Sequence, residues 1–181
     1  MPVLSLRDDR DPSGGIRDRN FESFLDICFD YSDAVSFSKI NLSGYEEYKS
    51  MTELMLEPRL VKRIIADKWY GYPRLNGGMT QFIYPADSET KKIILDCYSD
   101  IFLKDATKWK RYKPLWKINK HAALFEDMCF WNHGKVLLGT VSHEFICSTN
   151  NICEEFSMRL LKLASWELSD KPDCGIERIT Y

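Results

Sequence analysis

The run from Asp127 to Cys147 limits what this chain can fold into more than any other stretch. Apolar and β-branched residues dominate it, and one turn signal, Asn132-His133-Gly134, interrupts it. The pattern predicts two antiparallel strands joined by a two-residue loop at His133 and Gly134. Gly134 tolerates positive φ there and Asn132 favours turn entry. That loop sets a register in which Trp131 faces Val136, Phe130 faces Leu137 and Cys129 faces Leu138. Side chains alternate between the faces of a strand. One face should therefore carry Phe130, Leu137, Val141, His143 and Phe145. The other should carry Cys129, Trp131, Val136, Leu138, Thr140, Glu144 and Ile146. Both are apolar near the turn, so the expectation is a long central strand, covered on both sides and running on to Cys147.

The rest of the chain supplies partners for that ribbon. Phe21, Phe24, Leu25, Cys28 and Phe29 recur at helical spacing behind Asn20, which predicts an amphipathic helix ending at Tyr31-Ser32-Asp33. Ala34 to Ile40 alternates like a strand. Ser43 and Glu46 suggest a capping box for a second helix with Tyr45, Tyr48, Met51 and Met55 on one stripe. Pro58 suits a helix start, so a third helix is expected from Pro58 to about Asp67. Met79 to Tyr84 reads as a strand and Glu89 to Leu103 as a helix bearing Ile93, Ile94, Cys97, Tyr98, Ile101 and Phe102. Ser148 to Asn151 should cap a last helix carrying Ile152, Cys153, Phe156, Leu160, Leu161 and Ala164. Ser169 to Gly175 reads as loop and Ile176 to Tyr181 as a short edge strand.

Helices and strands are interspersed around a tight hairpin. The expected fold class is therefore α+β, a mainly antiparallel central sheet with a hairpin near residues 128–147 and helices packed against it. Residues 1–19, charged and broken by Gly and Pro, are expected to be a flexible N-terminal arm. Residues 20–181 are expected to form a single globular domain, as a length of 181 residues allows.

Charge and cysteine usage restrict function more than they define it. A net charge of −2 gives no overall pull toward nucleic acid or anionic membrane. No apolar run approaches the roughly 18–20 residues of a membrane span. The N-terminus turns charged at once and lacks the apolar core of a secretory signal, so a cytoplasmic location is expected. The six cysteines, Cys28, Cys97, Cys129, Cys147, Cys153 and Cys174, form no CxxC pair and read as buried small hydrophobes.

Candidate chemistry is thin. Cys129, His133, His143 and Cys147 have zinc-like spacing, but on a continuous strand His143 and Cys147 lie roughly 13 Å apart. Two ligands of one zinc must lie within about 4 Å. No metal and no cofactor is expected. His143 and Glu144, adjacent on a strand, point to opposite faces and share no proton path. A catalytic Cys129 or Cys147 paired with His143 would be the form of a small enzyme. Arg74 to Gly78 has two glycines but lacks GxGxxG and the P-loop lysine. The stretch 104–120 interleaves Lys104, Lys108, Lys110, Arg111, Lys113, Lys117 and Lys120 with Trp109, Tyr112 and Trp116, which would suit nucleic acid in an alternative reading. The segment from Glu22 to Glu57 is acidic. Within it Asp26, Asp30, Tyr45, Glu46, Glu47, Tyr48 and Glu53 make a candidate surface for a basic protein partner.

The order of features also carries a resemblance. A helix and strand precede Trp69-Tyr70-Gly71-Tyr72-Pro73-Arg74-Leu75. A tyrosine-bearing strand and a helix follow, then Glu126-Asp127-Met128, the hairpin, and Ser142-His143-Glu144. Across roughly residues 20–165 this resembles small immunity proteins encoded beside bacterial polymorphic toxins. The basic-aromatic stretch between helix and hairpin departs from that pattern. The resemblance implies a cytosolic, non-enzymatic protein that neutralises a cognate toxin by tight binding. It carries no catalytic residue with it.

Overall fold

The computed structural model describes residues 3–7, 15–40, 49–66, 79–102, 125–150 and 152–169. The sheet strands are β1 (Val3–Arg7), β2 (Ala34–Ile40), β3 (Lys62–Ala66), β4 (Met79–Pro85), β5 (Glu126–Asn132), β6 (Lys135–Val141), β7 (Ile146–Thr149) and β8 (Glu167–Ser169). Among the described residues four helices accompany them: α1 (Asp18–Asp30), α2 (Met51–Leu56), α3 (Ser88–Cys97) and α4 (Glu154–Leu161). All eight strands join one sheet in the order β3-β4-β2-β5-β6-β7-β1-β8. Every pairing in it is antiparallel. The fold is α+β, and the hairpin β5–β6 stands at its centre.

The two sides of the sheet differ. Phe21, Phe24, Leu25 and Cys28 of α1, Leu56 of α2, Ile94 of α3, and Phe156 and Leu160 of α4 all pack with Val35, Phe37, Phe82, Met128 and Phe130 in one large core. Its aromatics meet edge to face, as Phe24 and Phe130 do at 5.9 Å, or stacked, as Phe37 and Phe125 do at 5.2 Å. The opposite face carries a smaller buried cluster of Ala34, Met79, Ile83, Cys129, Trp131, Val136 and Val141, to which no described helix contributes.

The hairpin turn lies where the sequence puts it. Asn132 pairs with Lys135 and Trp131 with Val136. His133 and Gly134 have φ of 48° and 74°, the left-handed pair of a type I′ turn. Beyond that the register differs from expectation. Leu137 is an extra residue, so Phe130 pairs with Leu138 and Cys129 with Gly139. This β-bulge exchanges the faces of everything after it. Leu138 joins Phe130 on the helical side, and Val141 joins Trp131 on the other. Asn150 satisfies the bulge: its N–H donates to the Leu137 carbonyl at 2.7 Å and its Nδ2 to the Val136 carbonyl at 3.4 Å.

The ribbon also does not run unbroken to Cys147. A 3-10 turn at Ser142–Glu144, followed by Phe145 at φ 59°, reverses the chain, and β7 returns antiparallel to β6. Ser148 and Thr149 consequently belong to a strand rather than to a helix cap. The cap of α4 is Cys153, whose Sγ accepts from the Phe156 N–H at 3.5 Å.

Other boundaries move for local reasons. Residues 3–7 are not part of a loose arm: β1 is inserted between β7 and β8, with Leu4 and Leu6 buried. The Leu4 N–H donates to Thr149 Oγ1 at 2.8 Å. Ile16 is also fully buried. The third helix is absent. Glu57–Arg59 is a single 3-10 turn, and the β-branched run that follows takes its place in the sheet as β3. Helix α2 starts at Met51 behind Ser50, whose hydroxyl accepts from the Glu53 N–H; Ser43 and Glu46 lie outside the described residues. Asp87 caps α3, which ends at Cys97, while Ile101 and Phe102 are buried beyond it in a turn. Residues 176–181 lie outside the described part; Glu167–Ser169 is a further strand at the end of the described sheet.

Candidate functional site

Helix α1 has two unlike faces. Its apolar stripe is buried, and the opposite side presents Asp18, Glu22, Asp26 and Asp30, all exposed and each four residues from the next. Four-residue spacing places side chains on one helical face, so the carboxylates form a row along the helix. Neighbouring helices meet that row with cations. Lys91 of α3 pairs with Asp26, and Arg159 of α4 pairs with Asp30 at 2.8 Å. Arg159 also lies over the Tyr31 ring at 5.6 Å, and Tyr31 stacks on Phe156.

At the start of α1 the row borders an open groove of about 360 Å³, lined by Asp18, Arg19, Phe21, Glu22, Leu95 and Ser99. Backbone pairing builds this corner. Asp18, at φ 50°, donates its N–H to the Ser99 carbonyl at 2.7 Å, and Ile101 donates to the Ile16 carbonyl at 3.2 Å. Arg17 pairs with Asp100 at 2.9 Å. The approach to α1 is thereby stitched to the exit of α3, which fixes the groove walls. Its surface combines the carboxylates of Asp18 and Glu22 with the guanidinium of Arg19 and hydrocarbon from Leu95, over the buried Phe21.

Of the predicted partner surface, Asp26 and Asp30 stand in this row. Tyr45, Glu46, Glu47 and Tyr48 lie outside the described residues. Glu53 does not belong to an exposed surface: it is 5% exposed and its carboxylate accepts from Lys39 Nζ at 3.2 Å. The Ser50 cap turns Glu53 toward the sheet, where β2 brings Lys39 up on the same side. The structure adds Asp18 and Glu22 to the set. Their spacing from Asp26 and Asp30 is legible in the sequence, but reading residues 1–19 as an arm separates Asp18 from the helix.

The ionisable groups inside the molecule form a second set. Asp127 is 1% exposed and sits at φ 51°. Its N–H donates to Ser142 Oγ at 3.0 Å, and its Oδ1 accepts from the Ser142 N–H at 2.7 Å. This reciprocal clamp ties the start of β5 to the end of β6, and Oδ2 is buried without a hydrogen-bond partner among the described residues. Burial pushes the Asp127 carboxyl up to about 7, the charges of Glu126 and Glu144 add to that, and the Ser142 hydrogen bonds oppose it. Burial likewise pushes the thiols of Cys28, Cys129 and Cys147 well up. That state suits filling rather than nucleophilic attack.

On the face opposite the helices a polar chain is enclosed. Trp131 Nε1 donates to Ser36 Oγ at 2.8 Å, Ser36 Oγ donates to Gln81 Oε1 at 3.1 Å, and Gln81 Nε2 reaches Ser38 Oγ. Each member is satisfied by the next, as buried polar groups require.

The side chain of His143 and the stretch 104–120 lie outside the described residues. With the ribbon broken at residue 142, His143 and Cys147 no longer share one strand, so the spacing argument made for them does not apply. Among the described residues no group of three His, Cys, Asp or Glu side chains converges to hold a metal ion. No described helix is long and apolar enough to cross a membrane. The chain matches no protein-family model, no curated protein and no solved structure.

Proposed function

We propose that this protein acts by binding, that its partner is a protein with a basic surface, and that it neutralises that partner as an immunity protein neutralises a bacterial toxin. The observation that carries the reading is the exposed row Asp18, Glu22, Asp26 and Asp30 on α1, with the groove at its end. A lysine or arginine of the partner can lay its methylene stem against Leu95, which is half-buried, while its charged head meets Asp18 and Glu22. The ion pairs Asp26–Lys91 and Asp30–Arg159 do not block this use. Exposed pairs of this kind are worth at most about 1 kcal/mol, so an incoming cation can share either carboxylate. The row raises the encounter rate with a basic partner and rejects acidic ones. Leu95 adds the one apolar contact that the groove lining offers beside these charges.

The test is to read the neighbouring genes for a toxin domain and to co-express this protein with the one found. Wild-type protein should restore growth and bind the purified toxin domain in a calorimeter. Reversing Glu22, Asp26 and Asp30 together to lysine should raise Kd by about 100-fold or more, with an unchanged circular dichroism spectrum. A gene neighbourhood without a toxin, or no rescue, rejects the immunity form. Equal affinity of the variant rejects this surface.

A further inference from the structure

We propose that a second copy of this chain docks edge to edge on the sheet, β3 of one copy pairing with β8 of the next. The two strands end the described sheet on opposite sides, and their chemistry is complementary. At the β3 edge Lys62 and Arg63 are exposed beside Val61, 66% exposed, and Ile65, 78% exposed. At the β8 edge Glu167 is exposed beside Leu168, 71% exposed.

Register makes the match specific. Following paired residues from strand to strand, Lys62 and Glu167 end the same transverse row, which runs through Ser36 and Gly139. That row lies on the face away from the helices. On the helical face Arg63 pairs with Phe82 and Leu168 with Leu4, so Arg63 and its apolar neighbours at one edge correspond in face to Leu168 at the other. The described sheet has eight antiparallel strands, an even number, so β8 and β3 run in opposite directions. A copy placed beside β8 with its faces unchanged therefore continues the antiparallel order. Lys62 then comes against Glu167, and Leu168 comes against the Val61–Ile65 side.

The alternatives are disfavoured by charge. A two-fold pairing of β3 with β3 brings the Lys62 and Arg63 cations of two copies to one seam, and β8 with β8 does the same with Glu167. Charged edges commonly protect sheets from such contacts. Here each edge is protected against its like and complementary to the other. The contact is heterologous, and the twist of the sheet, about 20° per strand, makes the operator a screw. The product is an open series rather than a closed dimer.

Sedimentation and light scattering on the full chain, over a concentration series at low and high salt, test this. The expected result is a mass that climbs past the dimer without a plateau and falls back in high salt. K62E/R63E and E167K should each weaken association by about ten-fold or more. An equimolar mixture of the two variants should recover it, since the reversed charges at the two edges again oppose each other, and recovery also proves both folded. A monomer at every concentration in low salt, a mass that stops at the dimer, or association indifferent to both variants would overturn the proposal.

Discussion

Asp127 holds its backbone in the left-handed region and its carboxyl under the sheet surface, so its protonation is linked to folding. An unfolded aspartate titrates at its ordinary value of 3.8, and the folded one at about 7. Between those values the folded state holds a proton that the unfolded state has released. The group's contribution to stability is therefore complete below about pH 4 and is lost as pH rises through about 7. The span corresponds to about 4 kcal/mol. Asp127→Asn keeps an acceptor for the Ser142 N–H and removes the charge. Denaturant titrations should show the variant at least as stable as wild type at about pH 8, with a much flatter profile from about pH 5 to 8. A wild-type profile that rises with pH over this window contradicts the assignment. Nothing in the sequence marks Asp127 for this role, because the clamp depends on a reversal at residues 142–145 that brings Ser142 alongside.

At the scale of elements, the alternation of β2 and the helical spacing of α1 are legible because each writes one clear period across its own length. The bulge at Leu137 is not, because Val136-Leu137-Leu138 is apolar throughout and one inserted residue leaves no trace in such a run. Pro58 misleads in the other direction: it does begin a turn of 3-10 helix, but Val61, Ile64 and Ile65 then favour the sheet. The turn itself is the best-specified element. Gly134 at φ 74° has no side chain to clash, whereas alanine there should cost roughly 1–2 kcal/mol. His133 already bears part of that strain at φ 48°, eased by its N–H donating to Asp33 Oδ2 at 2.7 Å. Thermal unfolding of Gly134→Ala should show the loss. An unchanged midpoint would mean that the turn has room to relax, and that register is held by the Asn150 contacts to the bulge.

For the whole molecule, the decisive strand is the one the sequence hides best. Val3, Leu4 and Leu6 alternate too briefly, next to a charged run, to be told from a tail. Yet β1 is the strand that carries the sheet from β7 to β8. Removing residues 1–7 withdraws three buried side chains, each worth about 1.5–3 kcal/mol of burial. It also leaves Thr149 Oγ1 without the Leu4 N–H and β8 without its paired neighbour. The sum is comparable with the roughly 5–15 kcal/mol that holds a domain together. The truncated chain should therefore unfold at a markedly lower temperature or fail to fold cooperatively by circular dichroism, and an unchanged midpoint would return residues 3–7 to the status of an arm. A milder variant separates stability from assembly. Leu168→Lys places a cation at the β8 edge while leaving β1 and the core intact, so the fold should persist while the proposed edge pairing with the Lys62 and Arg63 of another copy is lost. The acidic row on α1 stands on a different element, so binding of the proposed basic partner should survive that change, and the two proposed surfaces can be tested independently in one protein.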